Sequence, residues 1–348
     1  MKKVIYTLSA VLLAGAASAQ VVSNAQIFVS EGAVVSFGQN VENRGELTNK
    51  GQVHFRNDLT NEGVLRSDGE VVFDGYGTQE IKGTDVVLKS ATLENNVTLA
   101  TTLKVEDRLN YNNGVITSSE AAPLVFGDKA NHFGASDFSH SVGTVTKVNA
   151  ENFEFPVGDG ATYRGFQATG ATRGALSAEY VAQNPQKFSK DLAAGVDYVN
   201  DAEYWVLKSE NANEEADVRL LNTYENNVAY LKRDTWTIAD NNKFTKGNGL
   251  VEGVKFTSGR GKFIKKDIGV WPNPTQGDFN LKLTGMNDRD DVIVDVTNQD
   301  GRVVMKMEGK VSDLRKVYSL PQGMITTELT VRVINGEDVM TEKLILNR

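Results

Sequence analysis

An internal repeat in the N-terminal third of the chain constrains the fold more than any other feature of the sequence. Residues 41–55 and residues 59–73 align without gaps at a spacing of 18 residues. The matched positions are one asparagine, two glycines and three apolar residues: Asn43/Asn61, Gly45/Gly63, Leu47/Leu65, Gly51/Gly69, Val53/Val71 and Phe55/Phe73. Each unit therefore contains two short runs in which apolar and polar residues alternate, as in a β-strand, with a glycine turn between them.

Such a repeat predicts a parallel β-solenoid with about 18 residues per coil. One unit cannot bury its apolar face alone, whereas stacked units share a continuous core. We expect Phe55 and Phe73 to point inward on adjacent coils. Asn43 and Asn61 are expected to form a ladder at one corner, with their amides hydrogen-bonded from coil to coil.

The repeat continues in weaker form on both sides of these two units. A fainter copy precedes them, in which Val29, Val35 and Phe37 stand 18 residues before the apolar residues of the first unit. After them the apolar alternation continues to Gly127, so the predicted solenoid-like domain spans residues 20–127. A meander of short hairpins that forms a sandwich is the alternative, because the sequence alone does not separate parallel coils from hairpins.

The first 19 residues have the features of a secretory signal peptide. Two lysines follow the first methionine, residues 4–14 are apolar, and Ala17 and Ala19 form an A-x-A cleavage site, so we expect cleavage before Gln20. The apolar stretch is too short to span a bilayer, and no later stretch is apolar enough to do so.

The C-terminal region begins with a rigid turn in which Pro272 and Pro274 flank Asn273. Proline neither continues a helix nor joins a central strand. Short alternating runs follow, joined by turns at Gly301 and Gly336, where an Asp-Gly and an Asn-Gly pair favour hairpins. Residues 270–348 are therefore predicted to form a small antiparallel β-sandwich, which a linker at residues 259–269 precedes.

This order of motifs resembles the type A C-terminal sorting domain of the type IX secretion system of Bacteroidota. The residues that carry the resemblance are Trp271, Pro272, Asn273, Pro274, Gly277, Phe279, Asp295, Gly301, Lys343 and Leu344. The resemblance implies a cargo protein, exported through the periplasm to the outer-membrane cell surface or the extracellular space. Its implied partners are the translocon, the sorting-domain peptidase that cleaves in the linker before Trp271, and surface lipopolysaccharide, to which the remainder is covalently attached.

Between the two terminal regions, residues 142–258 are predicted to form a β-sandwich. Residues 155–164, the run Glu203-Tyr204-Trp205 and the later Trp236 resemble a block found in large surface proteins of the same phylum. This resemblance implies no defined activity, and we expect its aromatic residues to form a core instead of a sugar-binding platform. The chain is thus predicted to be all-β: N-terminal solenoid-like repeats, a central sandwich and a C-terminal sorting domain.

Composition and motifs exclude several functional classes. The chain contains no cysteine, which excludes disulfides, cysteine-based zinc sites, thiol catalysis and a lipoprotein anchor. Its net charge of −8 argues against a nucleic-acid partner, which needs a basic face. Of the three histidines, His54, His132 and His140, the first takes the place of Val72 in the repeat and is expected to be a coil-face residue.

No catalytic motif is recognisable in the sequence. There is no nucleophile elbow, zinc-protease motif or phosphate-binding loop. Clustered acidic residues do not recur at the coil spacing, so a glycoside-hydrolase pair is not indicated. We therefore expect no enzymatic activity, no cofactor and no metal site.

The function expected from the sequence is that of a non-enzymatic, adhesin-like or structural protein that contacts glycan or protein ligands. A carbohydrate-binding or carbohydrate-processing protein that uses the solenoid face is one alternative. A structural subunit of the secretion or gliding apparatus is another.

Deleting residues 271–348 is predicted to leave the protein in the periplasm, because these residues carry the sorting motifs. Cell fractionation of the truncated and full-length proteins measures this. Wild-type amounts of the truncated protein at the cell surface would show the sorting hypothesis to be wrong.

Overall fold

The computed structural model describes residues 20–221, 227–244, 249–325, 327–336 and 338–348. The predicted signal peptide, with Ala17 and Ala19, lies outside these ranges. The described residues form two compact units. The first comprises the described residues of 20–189, 199–233 and 239–259, and the second those of 190–198, 234–238 and 260–348. Within the described residues, no helix has the length and apolar character needed to cross a membrane.

Residues 20–148 form a parallel β-solenoid, which confirms the predicted fold. In chain order its strands are β1 (Gln20–Ser23), β2 (Gln26–Val29), β3 (Val34–Phe37), β4 (Asn40–Asn43), β5 (Glu46–Asn49), β6 (Gln52–Phe55), β7 (Leu59–Asn61), β8 (Val64–Phe73), β9 (Gln79–Gly83), β10 (Val86–Leu93), β11 (Val97–Leu99), β12 (Leu103–Tyr111), β13 (Gly114–Thr117), β14 (Leu124–Phe126), β15 (Asn131–Phe133), β16 (Ser139–Val142) and β17 (Val145–Val148).

These strands pair in parallel in three stacks. The first stack is β1, β4, β7, β9, β11, β13 and β16. The second is β2, β5, β8, β10, β12, β14 and β17, and the third is β3, β6, β8, β10, β12 and β15. The long strands β8, β10 and β12 belong to both the second and the third stack. Parallel pairing in successive coils excludes the hairpin meander.

The inward residues of successive coils stack directly on each other, as the repeat predicts. Val53 pairs with Val71 and Phe55 with Phe73, and all four are at most 2% exposed. The ring centroids of Phe55 and Phe73 lie 6.1 Å apart in a stacked arrangement. A third ring, that of Phe37, stacks on Phe55 at 5.6 Å. The core is therefore a set of apolar columns that run from coil to coil.

Asparagine and glycine at the corners allow the coils to stack closely. The Asn43 side chain donates from Nδ2 to Oδ1 of the buried Asn61 at 2.8 Å, so the predicted corner ladder is present. A Cβ on Gly63 would lie 2.2 Å from the carbonyl oxygen of Gly45. No side chain fits at that distance, which explains why this glycine pair recurs.

The first coil departs from the predicted register. Val29 was expected to match Leu47, but Ile27 pairs with Leu47, and Val29 pairs with Asn49. The cause is the turn at residues 30–33, which is longer than the equivalent turn at residues 50–51. A longer turn leaves the next strand in place, so Val35 and Phe37 keep their expected partners.

The parallel stacking continues beyond Gly127, through β16 and β17 to Val148. Strand β17 then pairs antiparallel with the first long strand of the sandwich, so the second stack continues into that sheet. The remaining elements of this part of the chain are β18 (Asn152–Phe155), β19 (Phe166–Thr169), β20 (Ala175–Val181), a 3₁₀ turn (Pro185–Lys187), β21 (Val196–Val199), β22 (Tyr204–Ser209), β23 (Ala216–Leu220), β24 (Asn227–Lys232), β25 (Thr235–Ile238), a 3₁₀ turn (Asp240–Asn242), β26 (Lys243–Phe244) and β27 (Val254–Gly261).

Two antiparallel sheets of the first unit enclose an aromatic core. One sheet continues the solenoid in the order β17–β20–β22–β27–β24, and the other has the order β18–β19–β23–β26. The rings between them are fully buried: Phe155, Phe166, Trp205, Phe244 and Phe256. The Trp205 and Phe256 rings stack at 5.8 Å, so the aromatic residues of this region form a core, as the sequence indicates.

The second unit contains a small antiparallel sandwich at the C-terminus, as predicted. Its elements are β28 (Asp267–Trp271), β29 (Asp278–Thr284), β30 (Asp291–Thr297), β31 (Val303–Lys310), α1 (Val311–Leu314), β32 (Val317–Ser319), β33 (Thr327–Asn335) and β34 (Asp338–Leu346). One sheet has the order β28–β29–β32 and the other β31–β30–β33–β34. Their facing residues form a single apolar core around Phe279, Val294 and Leu344, each 0% exposed.

Replacing Phe55 by Ala is predicted to lower the free energy of unfolding by about 3–5 kcal/mol, because it opens a cavity in the aromatic column. The matched control is Phe28→Ala, since Phe28 lies on the solenoid surface with 47% exposure and should change stability by less than about 0.5 kcal/mol. Urea unfolding followed by tryptophan fluorescence measures both. Equal effects of the two substitutions would contradict the inward stacking.

Candidate functional site

The Pro-Asn-Pro segment of the sorting motif lies against the edge of the last strand, β34. The Asn273 side chain makes two hydrogen bonds to the backbone of that strand: Nδ2 donates to the Lys343 carbonyl at 2.6 Å and Oδ1 accepts from the Ile345 N–H at 2.9 Å. The amide thus substitutes for the backbone of a neighbouring strand. Both peptide bonds that precede the prolines, Trp271–Pro272 and Asn273–Pro274, are cis.

Thr275 continues this edge contact through its backbone. Its N–H donates to the Ile345 carbonyl at 2.8 Å, and its carbonyl accepts from the Asn347 N–H at 2.8 Å. The side-chain oxygen of Thr275 accepts from the Gly277 N–H at 3.0 Å. Residues 273–275 therefore cover the C-terminal part of the β34 edge, which would otherwise present unpaired backbone groups.

Gly277 lies beside the side chain of Arg348. Its φ of 141° lies in a region that favours glycine, and a Cβ there would lie 2.6 Å from the guanidinium. The guanidinium donates to the Gln276 and Pro321 carbonyls, each at 3.0 Å. Arg348 therefore ties the C-terminus to the turn that follows the Pro-Asn-Pro segment.

The structure brings some of the predicted sorting residues together and leaves others apart. The motif residues Trp271 to Phe279 meet β34 at Lys343 and Leu344 through Asn273. Phe279 and Leu344 lie in the core, while Trp271 is 49% exposed. Lys343 points outward and forms an ion pair with Glu328 at 2.9 Å.

Asp295 and Gly301 lie away from this clamp. Asp295 is in the middle of β30 and is 6% exposed, and its Oδ2 accepts from the Arg332 guanidinium at 2.6 Å. Gly301 is in the turn between β30 and β31, with a φ of 75° that suits glycine. The positions of both residues indicate a role in the structure of the sheet.

A second candidate site is the outward surface of the third stack, which we call the third-stack face. It consists of the outward residues of β6, β8, β10, β12 and β15 and of the corner positions that follow them. Two columns run across the coils in register: His54, Val72, Thr92, Asn110 and Phe133, and beside it Gln52, Glu70, Ser90, Arg108 and Asn131. Part of this surface is a shallow groove of about 580 Å³.

Polar contacts connect the coils along this face. Asn110 donates to the Thr92 hydroxyl at 3.0 Å, and Thr92 donates to Glu70 at 2.5 Å. At the corner, the His54 ring Nδ1 lies 2.9 Å from Asp74 Oδ2. Asn112 donates to Glu94 at 2.7 Å. Each of the three carboxylates on this face is thus held by a neighbouring coil.

Sequence analysis missed this acidic group because it compared residues at 18-residue spacing. Phe73 pairs with Leu93, so the coil is longer here, and the residues that follow them, Asp74 and Glu94, lie on adjacent coils. Comparing the residues that follow each inward aromatic or leucine, without a fixed period, would have found them.

The three histidines occupy structural positions. His54 pairs with Val72 on the coil face, as predicted. His132 lies among aromatic rings with Nε2 on the Glu154 carbonyl at 2.7 Å, and burial lowers its pKa from the usual 6.5. The fully buried His140 accepts the Gly160 N–H at Nε2, so Nδ1 carries the proton and donates to the Ser136 carbonyl.

The motif block of the central sandwich is held by a buried ion pair. Arg164 Nε lies 2.9 Å from Glu203, which also accepts from the Tyr180 hydroxyl at 2.8 Å. The Trp205 indole donates to the Arg164 carbonyl at 2.8 Å. This network stabilises the sandwich and leaves no carboxylate in a cleft. In the ranges that the structure describes, no cluster of three His, Asp or Glu residues is arranged to hold a metal ion.

Comparison with known proteins identifies the C-terminal unit. Residues 269–347 match the family model described as "Secretion system C-terminal sorting domain". No curated protein matches the chain. Among solved structures, a beta-glucuronidase from Faecalibacterium prausnitzii is 14% identical, covers 49% of this chain, and has a TM-score of 0.20. The matched part is 37% of that protein, and a likeness this weak supports no conclusion about fold or activity.

The fold and the motif match define an exported all-β protein with a type IX sorting domain at its C-terminus. The chain is cargo of the type IX secretion system and is destined for the cell surface or the extracellular space. Its sorting domain implies an interaction with the secretion machinery.

Replacing Asn273 by Ala is predicted to destabilise the second unit by about 1–3 kcal/mol, because two hydrogen bonds to β34 are lost. Asn273→Asp keeps the acceptor for Ile345 but loses the donor to Lys343, so its effect should be smaller. Asn347→Ala is the control, because the Asn347 contact uses only its backbone N–H. Hydrogen exchange across residues 338–348 measures the loss, and unchanged protection in Asn273→Ala would contradict the clamp.

Proposed function

We propose that the mature protein is a non-enzymatic, adhesin-like surface protein whose solenoid supplies the contact surface. The observation that carries this proposal is the third-stack face, a shallow polar surface that extends across successive coils. Repeated coils place similar groups at regular intervals, which suits several weak contacts acting together.

The arrangement of the carboxylates supports a binding role over a catalytic one. General acid–base catalysis needs a group positioned in a cleft with a pKa suited to proton transfer. On the third-stack face, Asp74 contacts His54, Glu70 accepts from Thr92, and Glu94 accepts from Asn112. These contacts orient the carboxylates along an open surface.

The proposed path to the surface includes removal of the sorting domain. Residues 262–265, directly before β28, are exposed, including Phe263 at 43% and Ile264 at 39%. An exposed segment is accessible to the sorting-domain peptidase. We propose cleavage in this linker before Trp271 and attachment of the remainder to surface lipopolysaccharide.

Carbohydrate binding is the second candidate function. It is favoured by the composition of the third-stack face, where amides and carboxylates lie in register with an exposed aromatic ring, Phe133. Sugars are recognised by polar groups that hydrogen-bond to hydroxyls and by apolar ring faces.

Incubation of the exported chain with polysaccharide and peptide libraries is predicted to give no turnover, because the described acidic groups are arranged for contact. Mass spectrometry of the products measures this. Turnover that Glu70→Gln, Asp74→Asn or Glu94→Gln abolishes, and that Glu46→Gln on the second-stack surface leaves intact, would replace the binding role with an enzymatic one.

A further inference from the structure

We infer that the third-stack face binds an uncharged polysaccharide chain that lies along the solenoid axis, across the coils from His54 to Phe133. This inference deepens the second candidate function by assigning the site and the class of glycan.

The regular spacing of the coils gives this surface the form of a linear binding site. His54, Val72, Thr92, Asn110 and Phe133 occupy equivalent positions on five successive coils. Neighbouring strands lie about 4.8 Å apart, so four steps cover roughly 19 Å. A single column of this length requires an extended ligand that meets each coil in turn.

The side chains supply both kinds of contact that a sugar chain needs. Carboxylates of Glu70 and Glu94 accept hydrogen bonds from hydroxyls, and Asn110 and Arg108 donate to hydroxyl and ring oxygens. Phe133 is 57% exposed, and its ring offers an apolar face at the end of the column. An exposed phenylalanine in register with polar residues provides stacking next to hydrogen bonding.

The face also has hydrogen-bonding capacity that its own contacts do not use. Among the described residues, Oδ1 of Asp74 is buried and has no partner, although Oδ2 contacts His54. A carboxylate accepts several hydrogen bonds, and a buried polar atom without a partner costs free energy. A ligand hydroxyl directed at Asp74 would satisfy this atom.

The charge of the groove determines the class of glycan. Glu70, Asp74 and Glu94 line it together with a single arginine, Arg108. This excess of carboxylates repels uronic-acid and sulfated polymers, because like charges that approach closely are unfavourable. It accepts hydroxyl groups without any charge penalty, so the ligand is an uncharged polysaccharide.

Affinity electrophoresis of the exported chain, residues 20–348, tests the site. The gels contain one of four uncharged polymers (dextran, glucomannan, arabinoxylan or soluble β-1,3-glucan) or one of two anionic polymers (alginate or heparin). We expect retardation by at least one uncharged polymer and none by the anionic ones. Phe133→Ala and Glu94→Gln should each weaken binding about tenfold, the equivalent of 1.4 kcal/mol.

Matched substitutions on the second-stack surface serve as controls. Phe28→Ala removes an aromatic ring of similar exposure, 47%, and Glu46→Gln neutralises a carboxylate on the same surface. Both should leave the retardation unchanged. Circular dichroism confirms that each variant is folded, and Glu94→Gln, which keeps the side-chain shape, gives the answer if Phe133→Ala does not fold.

Three results would overturn the inference, and they separate it from the proposed function. Retardation by an uncharged polymer that neither Phe133→Ala nor Glu94→Gln changes would refute the site and leave carbohydrate binding intact. Stronger retardation by alginate or heparin would refute the class of ligand. The absence of retardation by all six polymers would refute both the site and carbohydrate binding, whereas the non-enzymatic surface role is decided by the turnover assay.

Discussion

Backbone hydrogen bonds between coils are the interaction on which the structure of residues 20–148 depends. Each parallel strand shares its N–H and C=O groups with the coil on either side, and this register decides which side chains stack inside. Phe37, Phe55 and Phe73 form a column only because the register is preserved from coil to coil. The same register aligns the outward residues, so the core and the candidate binding surface have one origin.

The sequence predicts this architecture where the repeat is regular and fails where turn lengths change. The 18-residue spacing correctly places Asn43 beside Asn61 and Val53 beside Val71. It fails in the first coil, where a longer turn shifts Val29. The solenoid tolerates such insertions because a turn lies outside the hydrogen-bonded stacks, and a fixed-period comparison cannot detect them. The third-stack face was missed for the same reason.

The sorting motif was recognisable in the sequence, but its physical role was not. The prolines indicate a rigid turn, whereas the partners of Asn273 lie about 70 residues later in the chain, on β34. No local pattern predicts a side chain that substitutes for a strand over such a separation. The clamp covers an exposed sheet edge at the end of the domain, which explains why a Pro-Asn-Pro turn and the last strand occur in one motif.

Cysteine labelling of intact cells tests most directly that the chain is exported as a folded solenoid. The protein contains no cysteine, so a single substitution is the only site of reaction with a membrane-impermeant maleimide. Lys89→Cys places the thiol on the exposed surface of β10, and Val53→Cys places it in the core, where Val53 is 0% exposed. We predict that exported Lys89→Cys reacts without lysis and that Val53→Cys reacts only after denaturation. Equal labelling of both variants, or labelling of Lys89→Cys only after lysis, would contradict the account.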